Sequence, residues 1–208
     1  MKLKMRRIKN KVRQCFPNQS VLKGLKVKLN QPGAKVVLMD TPTNGNLGDQ
    51  ALAYAAKYYM HKILPEIEVV DVPNDEINSS LRELKRNSKS FDFVLWNGGG
   101  NIGNLYPTAE YSRWDAFKVL RFKKFIILPQ SVYYSDEGSF FKKSVQQYLK
   151  KKDLFVYLRE KKSYKYMDKN FEGLPVSLVP DIVFSLEDVM QSLISTTNKR
   201  QGVLTLLR

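Results

Sequence analysis

The chain has 208 residues, of which 43% are hydrophobic and 12% aromatic, so it can bury a substantial core and is not an intrinsically disordered sequence. Its single cysteine, Cys15, excludes an internal disulfide, and the lack of clustered Cys and His residues excludes a structural zinc site. The formal net charge of +15 is uneven, because residues 1 to 39 hold eleven of the 35 basic residues and none of the 20 acidic ones.

The basic N-terminal arm, residues 1–30, begins with the pattern of an amphipathic helix that ends before Pro17. Its apolar stripe is formed by Leu3, Met5, Ile8, Val12 and Phe16. Such a helix either lies on an anionic membrane surface, where each basic residue contributes about 1 kcal/mol, or packs on its own domain with the basic side chains in water. Nucleic-acid binding is not expected, because the basic residues are not interleaved with stacking aromatic residues.

The sequence shows neither of the apolar segments that are typical of membrane-spanning or exported proteins. No apolar run reaches the roughly 20 residues of a membrane-spanning helix, and no signal-peptide stretch of about 7 to 15 apolar residues is present near the start. We therefore expect a cytoplasmic protein that the basic arm holds at the inner face of the membrane.

From residue 35 onward, strand and helix patterns alternate with short connections, which is typical of a parallel α/β sheet. The predicted strands cover residues 35–40, 67–72, 91–96, 124–128, 155–158 and 177–179. The predicted helices cover residues 48–64, 75–87, 108–122, 138–151 and 162–170, with Asp75 as one cap and a start near Ser163 for the last. These patterns predict a Rossmann-like, doubly wound and mostly parallel sheet over residues 35–185.

The remaining residues, 186–208, differ in character from the alternating pattern. A weak helical pattern at 186–194 is followed by a polar linker at 195–201 and an apolar strand pattern at 202–208. A strand without a successor cannot complete a βαβ unit. We therefore expect this segment to be a linker and the first strand of a truncated second domain.

The segment from Thr41 to Asp49 connects a buried strand to a helix N-terminus, where free N–H groups and the helix dipole favour ligand binding. Gly48 lets a ligand approach the backbone, and Asn46 tolerates a left-handed turn. Asp49 either caps the helix or accepts hydrogen bonds from sugar hydroxyls. The segment is neither a P-loop nor a dinucleotide fingerprint, because both glycine spacings are absent.

A second glycine-bearing loop is predicted at residues 97–104. Gly98, Gly99 and Gly100 supply no packing and cost backbone entropy, which favours a ligand lying against the backbone over a simple tight turn. Asn101 follows with an uncharged amide that suits a hydroxylated ligand. Two such loops at one sheet edge indicate a single cleft.

Three further polar positions follow predicted strands. Gln130 and Ser131 come at the end of the strand 124–128 and would lie at the same sheet edge. Asp181 closes the last strand, either as a ligand-binding carboxylate or as a turn-forming residue.

Arg159 follows the strand 155–158 directly and precedes the helix that contains Ser163. An arginine there can bind a carboxylate or phosphate with two hydrogen bonds. Alternatively, it forms an ion pair with Glu160 or has only a surface role. His61, the only histidine, falls inside a predicted helix, so no Ser/His/Asp or Cys/His catalytic set is available.

Five motifs follow one another over residues 36–208. They are Asn46-x-Gly48-Asp49, Gly98-Gly99-Gly100-Asn101-x-Gly103, Leu128-Pro129-Gln130-Ser131, Arg159-Glu160-x-x-Ser163 and Pro180-Asp181. Taken in series, they resemble the polysaccharide pyruvyl transferase family. The resemblance implies the N-terminal half of a GT-B-type two-domain transferase, which moves an enolpyruvyl unit from phosphoenolpyruvate to sugar hydroxyls of exopolysaccharide or cell-wall glycans and forms a pyruvate ketal.

The resemblance also implies roles for individual residues. Arg159 would bind phosphoenolpyruvate and Asp49 would be a candidate base for the attacking hydroxyl. The implied substrate-binding residues are Asn46, Gly48, Gly98, Gly99, Gly100, Asn101, Gln130, Ser131, Ser163 and Asp181. Phosphoenolpyruvate would be the donor, no metal or further cofactor is expected, and the acceptor would be a sugar or a lipid-linked oligosaccharide. The family's general-acid histidine lies in a C-terminal domain that this chain is not expected to contain.

Two other interpretations fit the same residues. A GT-B-type glycosyltransferase would use a nucleotide sugar as its donor. A non-catalytic fragment would instead serve as a binding module of a membrane-bound polysaccharide assembly complex.

Overall fold

The computed structural model describes residues 19–193, with side chains as far as Gln191. The apolar stripe of the N-terminal arm and the predicted strand at 202–208 lie outside the described residues.

Seven strands form one sheet. They are Lys35–Thr41 (β1), Glu68–Pro73 (β2), Phe93–Trp96 (β3), Gly99–Gly103 (β4), Lys124–Tyr133 (β5), Leu154–Leu158 (β6) and Val176–Leu178 (β7). The described α-helices are Gln19–Asn30 (α1), Leu47–Ile63 (α2), Ile77–Arg86 (α3), Pro107–Val119 (α4), Ser139–Lys150 (α5), Lys161–Asn170 (α6) and Glu187–Leu193 (α7). Short 3-10 helices occupy Ser88–Ser90 and Ile182–Leu186.

The sheet order is β2-β1-β3-β5-β6-β7, with β4 paired to β5, and every recorded pairing is parallel. From β1 the chain passes outward to β2 and then returns across β1 to β3. The predicted Rossmann-like, parallel α/β fold is confirmed. Because the connections after β1 and β3 run in opposite directions, the switch point of the sheet lies between these two strands.

Alternate residues of each strand face opposite sides of the sheet, so both faces are apolar. On one face, Val37, Met39 and Trp96 are fully buried in the main cluster with α3 and α4. On the other face, Val36 and Leu38 pack with α2. The 3-10 helix at Ile182–Leu186 and α7 follow α2 on this second face, since Ile182 and Leu186 are buried against it. Helices therefore cover the sheet from both sides.

Two predicted features around the second glycine segment are wrong. Residues 99–103 are not a loop but strand β4, and Gln130 and Ser131 lie inside β5, which continues to Tyr133. The pairing along β5 is interrupted at Pro129, because proline has no N–H to donate to a neighbouring strand. The pairing of β3 with β5 ends at Ile127 and the pairing of β4 begins at Gln130, so β3 and β4 act as one strand broken opposite Pro129.

The N-termini of three helices differ in detail from the prediction, although α2 and α6 begin within one residue of the predicted start. The cap of α2 is Asn46, whose side chain accepts a hydrogen bond from Gly48 N, and Asp49 lies in the first turn instead. Asp75 does not cap α3, which follows Glu76 without a side-chain cap bond. Helix α6 begins at Lys161, two residues before Ser163, with Glu160 at the cap position.

Helix α1 packs its buried Leu25 and Leu29 into the main cluster, so residues 19–30 of the N-terminal arm belong to the folded domain. Among the described helices, none combines the length and the apolar character that crossing a membrane requires.

Candidate functional site

A cleft of about 810 Å³ opens at the carboxyl edge of the sheet, beside the switch point. Its walls come from the segments that follow β1, β2 and β3 and from the start of α4. The lining residues used below are Asp40, Asn44, Asn46, Asp49, Asp75, Gly98, Gly99, Gly100, Asn101, Tyr106 and Arg159. A smaller cavity of about 270 Å³ lies at the opposite edge of the sheet, between α1 and the residues before β3.

The turn after β1 is held by its own amide side chains. Asn44 Oδ1 accepts a hydrogen bond from Asn46 N at 2.9 Å, and Asn46 Oδ1 accepts one from Gly48 N at 3.0 Å. Gln50 Nε2 donates to the carbonyls of Pro42 and Asn44 at 3.2 and 2.9 Å. The turn is therefore ordered, although Asn46 and Gly48 are exposed to solvent.

Asp40, the residue before this turn, was not predicted as a site residue. Its φ of 68° lies in the left-handed region, which non-glycine residues adopt at a cost and which often marks functional sites. Trp96 Nε1 and Asn101 Nδ2 both donate to Asp40 Oδ2, at 2.9 and 2.8 Å. Neither of these two donors contacts the other carboxylate oxygen, Oδ1. Asp40 is also one of the residues that line the cleft.

Behind Asp40 lies a buried polar network that connects β4 to α4 and α5. Arg113, fully buried, donates to Asn101 Oδ1 and to Tyr148 Oη, and forms an ion pair with Glu110 at 2.9 Å. Its guanidinium carbon lies 5.0 Å from the ring centre of Trp96. Glu110, also fully buried, accepts a hydrogen bond from Gly103 N at 2.8 Å. The network fixes the two donors that hold Asp40.

The pKa values of Asp40 and Glu110 are both raised. Burial raises the pKa of Asp40, and the nearby Asp49 raises it further, although Arg113 and the hydrogen bonds from Asn101 and Trp96 oppose this. Burial likewise raises the pKa of Glu110, which Arg113 opposes. Asp40 is thus a carboxyl group that takes up a proton more readily than an ordinary aspartate.

Two of the three glycines after β3 are constrained, one by close packing and one by its backbone conformation. A Cβ on Gly98 would lie 3.0 Å from the carbonyl of Pro129, and Gly99 has a φ of 147°, which disfavours a side chain. A Cβ on Gly100 would lie 3.6 Å from Arg159 Nη2. The backbone at Gly98 and Gly99 therefore fits against β5, while Gly100 leaves room beside the guanidinium.

Gln130 and Ser163 are placed beneath the cleft and not on its surface. Gln130 is fully buried, donates to Asn97 O at 2.7 Å and accepts from Asn101 N at 3.2 Å. Ser163 is also buried, donating to Glu160 Oε1 at 2.6 Å and accepting from Val132 N at 2.9 Å. Both residues support the backbone that carries the cleft.

Arg159 reaches the cleft with its orientation fixed by two neighbours. Nε donates to Ser131 Oγ at 2.9 Å, and Nη1 forms an ion pair with Asp181 at 2.7 Å. Asp181 also caps the following 3-10 helix by accepting from Val183 N. The ion pair with Glu160 considered from the sequence is not formed, because Asp181 takes that position. Nη2, beside Gly100, is the part of the guanidinium turned toward the cleft.

The structure thus brings together seven of the predicted site residues as cleft lining: Asn46, Asp49, Gly98, Gly99, Gly100, Asn101 and Arg159. Gly48, Gln130, Ser131, Ser163 and Asp181 do not line it. Sequence reasoning missed Asp40, Glu110 and Arg113. Asp40 could have been found as the last residue of the β1 pattern, directly before the turn.

A doubly wound sheet whose switch-point cleft presents amides, carboxylates and one guanidinium defines the class of domains that bind small polar ligands at the carboxyl edge. The particular family is then given by comparison with known proteins. The model of the polysaccharide pyruvyl transferase family matches residues 46–204, and the chain belongs to this family.

Individual relatives cover most of this chain. General stress protein 30 of Bacillus subtilis is 34% identical over 177 residues, which are 84% of this chain and 50% of that protein. Pyruvyl transferase 1 of Schizosaccharomyces pombe is 33% identical over 157 residues, which are 72% of this chain and 38% of that protein. The chain spans between 38% and 50% of the length of the curated relatives it matches.

Proposed function

We propose that this chain forms the acceptor-binding part of a pyruvyl transferase that uses phosphoenolpyruvate as donor and a sugar of an exopolysaccharide or cell-wall glycan as acceptor. The observation that carries the proposal is the polar character of the cleft in a chain of this family. Family membership supports the reaction class, and the polar lining of the cleft supports a sugar as the ligand of this wall.

The described cleft wall suits a polyhydroxylated ligand better than an anion. Asp40, Asp49 and Asp75 contribute carboxylates, and Arg159 is the single basic side chain among the described lining residues. Amide and carboxylate oxygens accept hydrogen bonds from sugar hydroxyls. The half-exposed ring of Tyr106 adds an apolar surface at the rim.

Arg159 is the proposed contact of this wall with phosphoenolpyruvate. Its Nη1 is already paired with Asp181, so Nη2 offers one charge-assisted hydrogen bond to a carboxylate or phosphate oxygen. A donor with several negative charges needs further cations, which would come from outside the described residues.

The proposed reaction converts C2 of phosphoenolpyruvate into the ketal carbon of the product. The methylene carbon of phosphoenolpyruvate takes up a proton, and a sugar hydroxyl oxygen bonds to the neighbouring C2. The bond between C2 and the phosphate oxygen breaks with its electron pair on phosphate, and a second hydroxyl of the same sugar bonds to C2. Of the two hydroxyl protons released, one balances the methylene proton and the other leaves with phosphate.

Phosphate release tests this proposal. Phosphoenolpyruvate is incubated with the protein in the presence and absence of a hydrolysed bacterial exopolysaccharide, and phosphate and saccharide-bound pyruvate are measured. We expect both products only when donor and acceptor are present together. Consumption of a nucleotide sugar instead would support the glycosyltransferase alternative, and saccharide binding without any turnover would support a binding module.

We further propose that the basic segment before α1 brings the protein to an anionic membrane surface, where lipid-linked acceptors are assembled. Residues 1–18 contain seven of the Lys and Arg residues and no acidic residue. Deleting residues 1–18 spares the buried leucines of α1 and is expected to abolish cosedimentation with phosphatidylglycerol vesicles at about 0.1 M salt. Unchanged cosedimentation would exclude the segment as the anchor.

A further inference from the structure

Asp40 combines four features that no other described residue of the cleft shares. It lines the cleft, it has a left-handed backbone, its Oδ2 is held by two donors, and those donors belong to the buried network around Arg113. An aspartate whose one oxygen is fixed presents its other oxygen in a defined direction. This is the arrangement by which proteins orient a general base.

We propose that Asp40 is the catalytic carboxylate that binds the attacking hydroxyl of the acceptor sugar and receives its proton. The inference rests on the proposed function, because it assigns a role within the same cleft. In this step the hydroxyl O–H bond breaks as the oxygen bonds to C2 of the donor, and the proton moves to Asp40 Oδ1. The carboxylate is restored when the proton passes to the departing phosphate.

The surroundings of Asp40 fit a group that changes its charge. Trp96 and Asn101 donate from β3 and β4, Arg113, which is paired with Glu110, faces it from α4, and Asp49 faces it from α2. Arg113 is committed to Glu110 and Asn101, so no cation among residues 19–193 forms a direct salt bridge with Asp40. The carboxylate therefore keeps the basicity that a salt bridge would remove.

Asp49, the base suggested by the resemblance, is less suited to this role. It lies in the first turn of α2, and its carboxylate has one long contact, with Asn44 Nδ2 at 3.5 Å from its Oδ2, in place of the two donors that fix Asp40. We therefore assign to Asp49 a hydrogen bond with a hydroxyl of the acceptor sugar. The role of proton acceptor is assigned to Asp40.

The test compares Asp40→Asn with Asp153→Asn. Asp153 is the other described non-glycine residue with a positive φ, at 51°, and it is exposed outside the cleft. Asparagine tolerates the left-handed backbone in both positions. The full chain is titrated with methyl β-galactoside, methyl β-glucoside and methyl α-mannoside by ligand-observed NMR between pH 5 and 8, and thermal melts confirm that each variant is folded.

We expect wild type and Asp153→Asn to bind at least one glycoside, with affinity rising with pH as Asp40 ionises. Asp40→Asn should bind about tenfold more weakly and without that pH dependence. In the phosphate-release assay, Asp40→Asn should lower kcat by about 10²-fold or more.

Equal binding by wild type and a folded Asp40→Asn would overturn the contact, and unchanged kcat would overturn the proton transfer, while the proposed function would stand. Failure of the wild type to bind any glycoside or release phosphate would instead reject the proposed function, and the role of Asp40 with it.

Discussion

Asp40 is costly for the fold at the level of the single residue, because its backbone is left-handed and its carboxylate is desolvated. A residue kept for stability would not combine these two costs, whereas functional residues often do. The fold therefore carries Asp40 in spite of its energetics.

We predict that Asp40→Asn stabilises the protein near neutral pH, by about 1 kcal/mol. The folded-state pKa of Asp40 is raised above the ordinary value of 3.8, so its neutral form is favoured in the folded state. Its contribution to stability is fully present below that ordinary value and is lost as pH rises through the folded pKa. Urea unfolding between pH 4 and 8 should show the variant's advantage growing with pH, with Asp153→Asn lacking this trend. A variant that is less stable at every pH would contradict the prediction.

Gly103 is constrained by space as well as by backbone conformation. Its φ is 119°, and a Cβ there would lie 1.7 Å from the carbonyl oxygen of Tyr133. Gly33 has a similar φ of 104° with no atom within 4 Å of its Cβ position.

We predict that Gly103→Ala destabilises the protein by about 3 kcal/mol or more, because strand β4 must move away from β5. Gly33→Ala, the matched control, should cost only the left-handed strain of about 1 to 2 kcal/mol. Chemical denaturation of both variants measures the difference. Equal losses would show that backbone conformation alone requires glycine at these positions.

At the scale of elements, the buried pair of Glu110 and Arg113 joins α4 to β4 and α5. Glu110 accepts from Gly103 N, and Arg113 contacts Asn101 and Tyr148. Burial raises the pKa of Tyr134 and Tyr148, so both phenols stay neutral donors beside Glu110. The pair therefore organises the second wall of the cleft without touching its surface.

We predict that Arg113→Met destabilises the protein by about 3 to 5 kcal/mol, because it leaves the Glu110 carboxylate buried without its cation. Arg86→Met is the control, since the Arg86 side chain is exposed and its Nη1 lies 3.8 Å from Glu83 Oε2, so its loss should cost less than about 1 kcal/mol. The double variant Glu110→Gln with Arg113→Met should recover part of the loss in thermal or urea unfolding. A double variant less stable than Arg113→Met would contradict this account.

The existence of β1 to β3, β5 to β7 and α2 to α7 was predictable because these elements carry their own apolar period. The start of α2 and the end of β6 were predicted to within one residue, and with them the positions of Asp49 and Arg159. Strand β4 was not predicted, because a run of three glycines has no strand pattern. Its extended backbone depends on pairing with β5. In the polar network, Asn101 contacts Asp40, 61 positions away, and Arg113, 12 positions away. A single sequence does not show that these residues are close in space.

At the scale of the whole molecule, the distribution of charge separates the cleft from the rest of the surface. The chain carries +15, yet the described cleft is lined by three aspartates and Arg159, which is itself paired with Asp181. Anions are therefore drawn to the protein by its net positive charge, while the cleft wall favours neutral ligands. Ionic strength distinguishes these two forms of binding, because salt screens exposed charges over a Debye length of about 10 Å at 0.1 M.

We predict that methyl glycosides bind this chain with an affinity that changes less than about twofold between 0.05 and 0.5 M NaCl, because neutral hydrogen-bonded contacts are little affected by screening. Binding of phosphoenolpyruvate should weaken about tenfold or more over the same range. Arg159→Ala should remove the part of phosphoenolpyruvate binding that persists at high salt, whereas Arg86→Ala, on the exposed face of α3, should leave that part intact. Calorimetry at the two salt concentrations measures all three proteins. Salt-resistant phosphoenolpyruvate binding that survives in Arg159→Ala would show that the donor is held by cations other than the one in this wall.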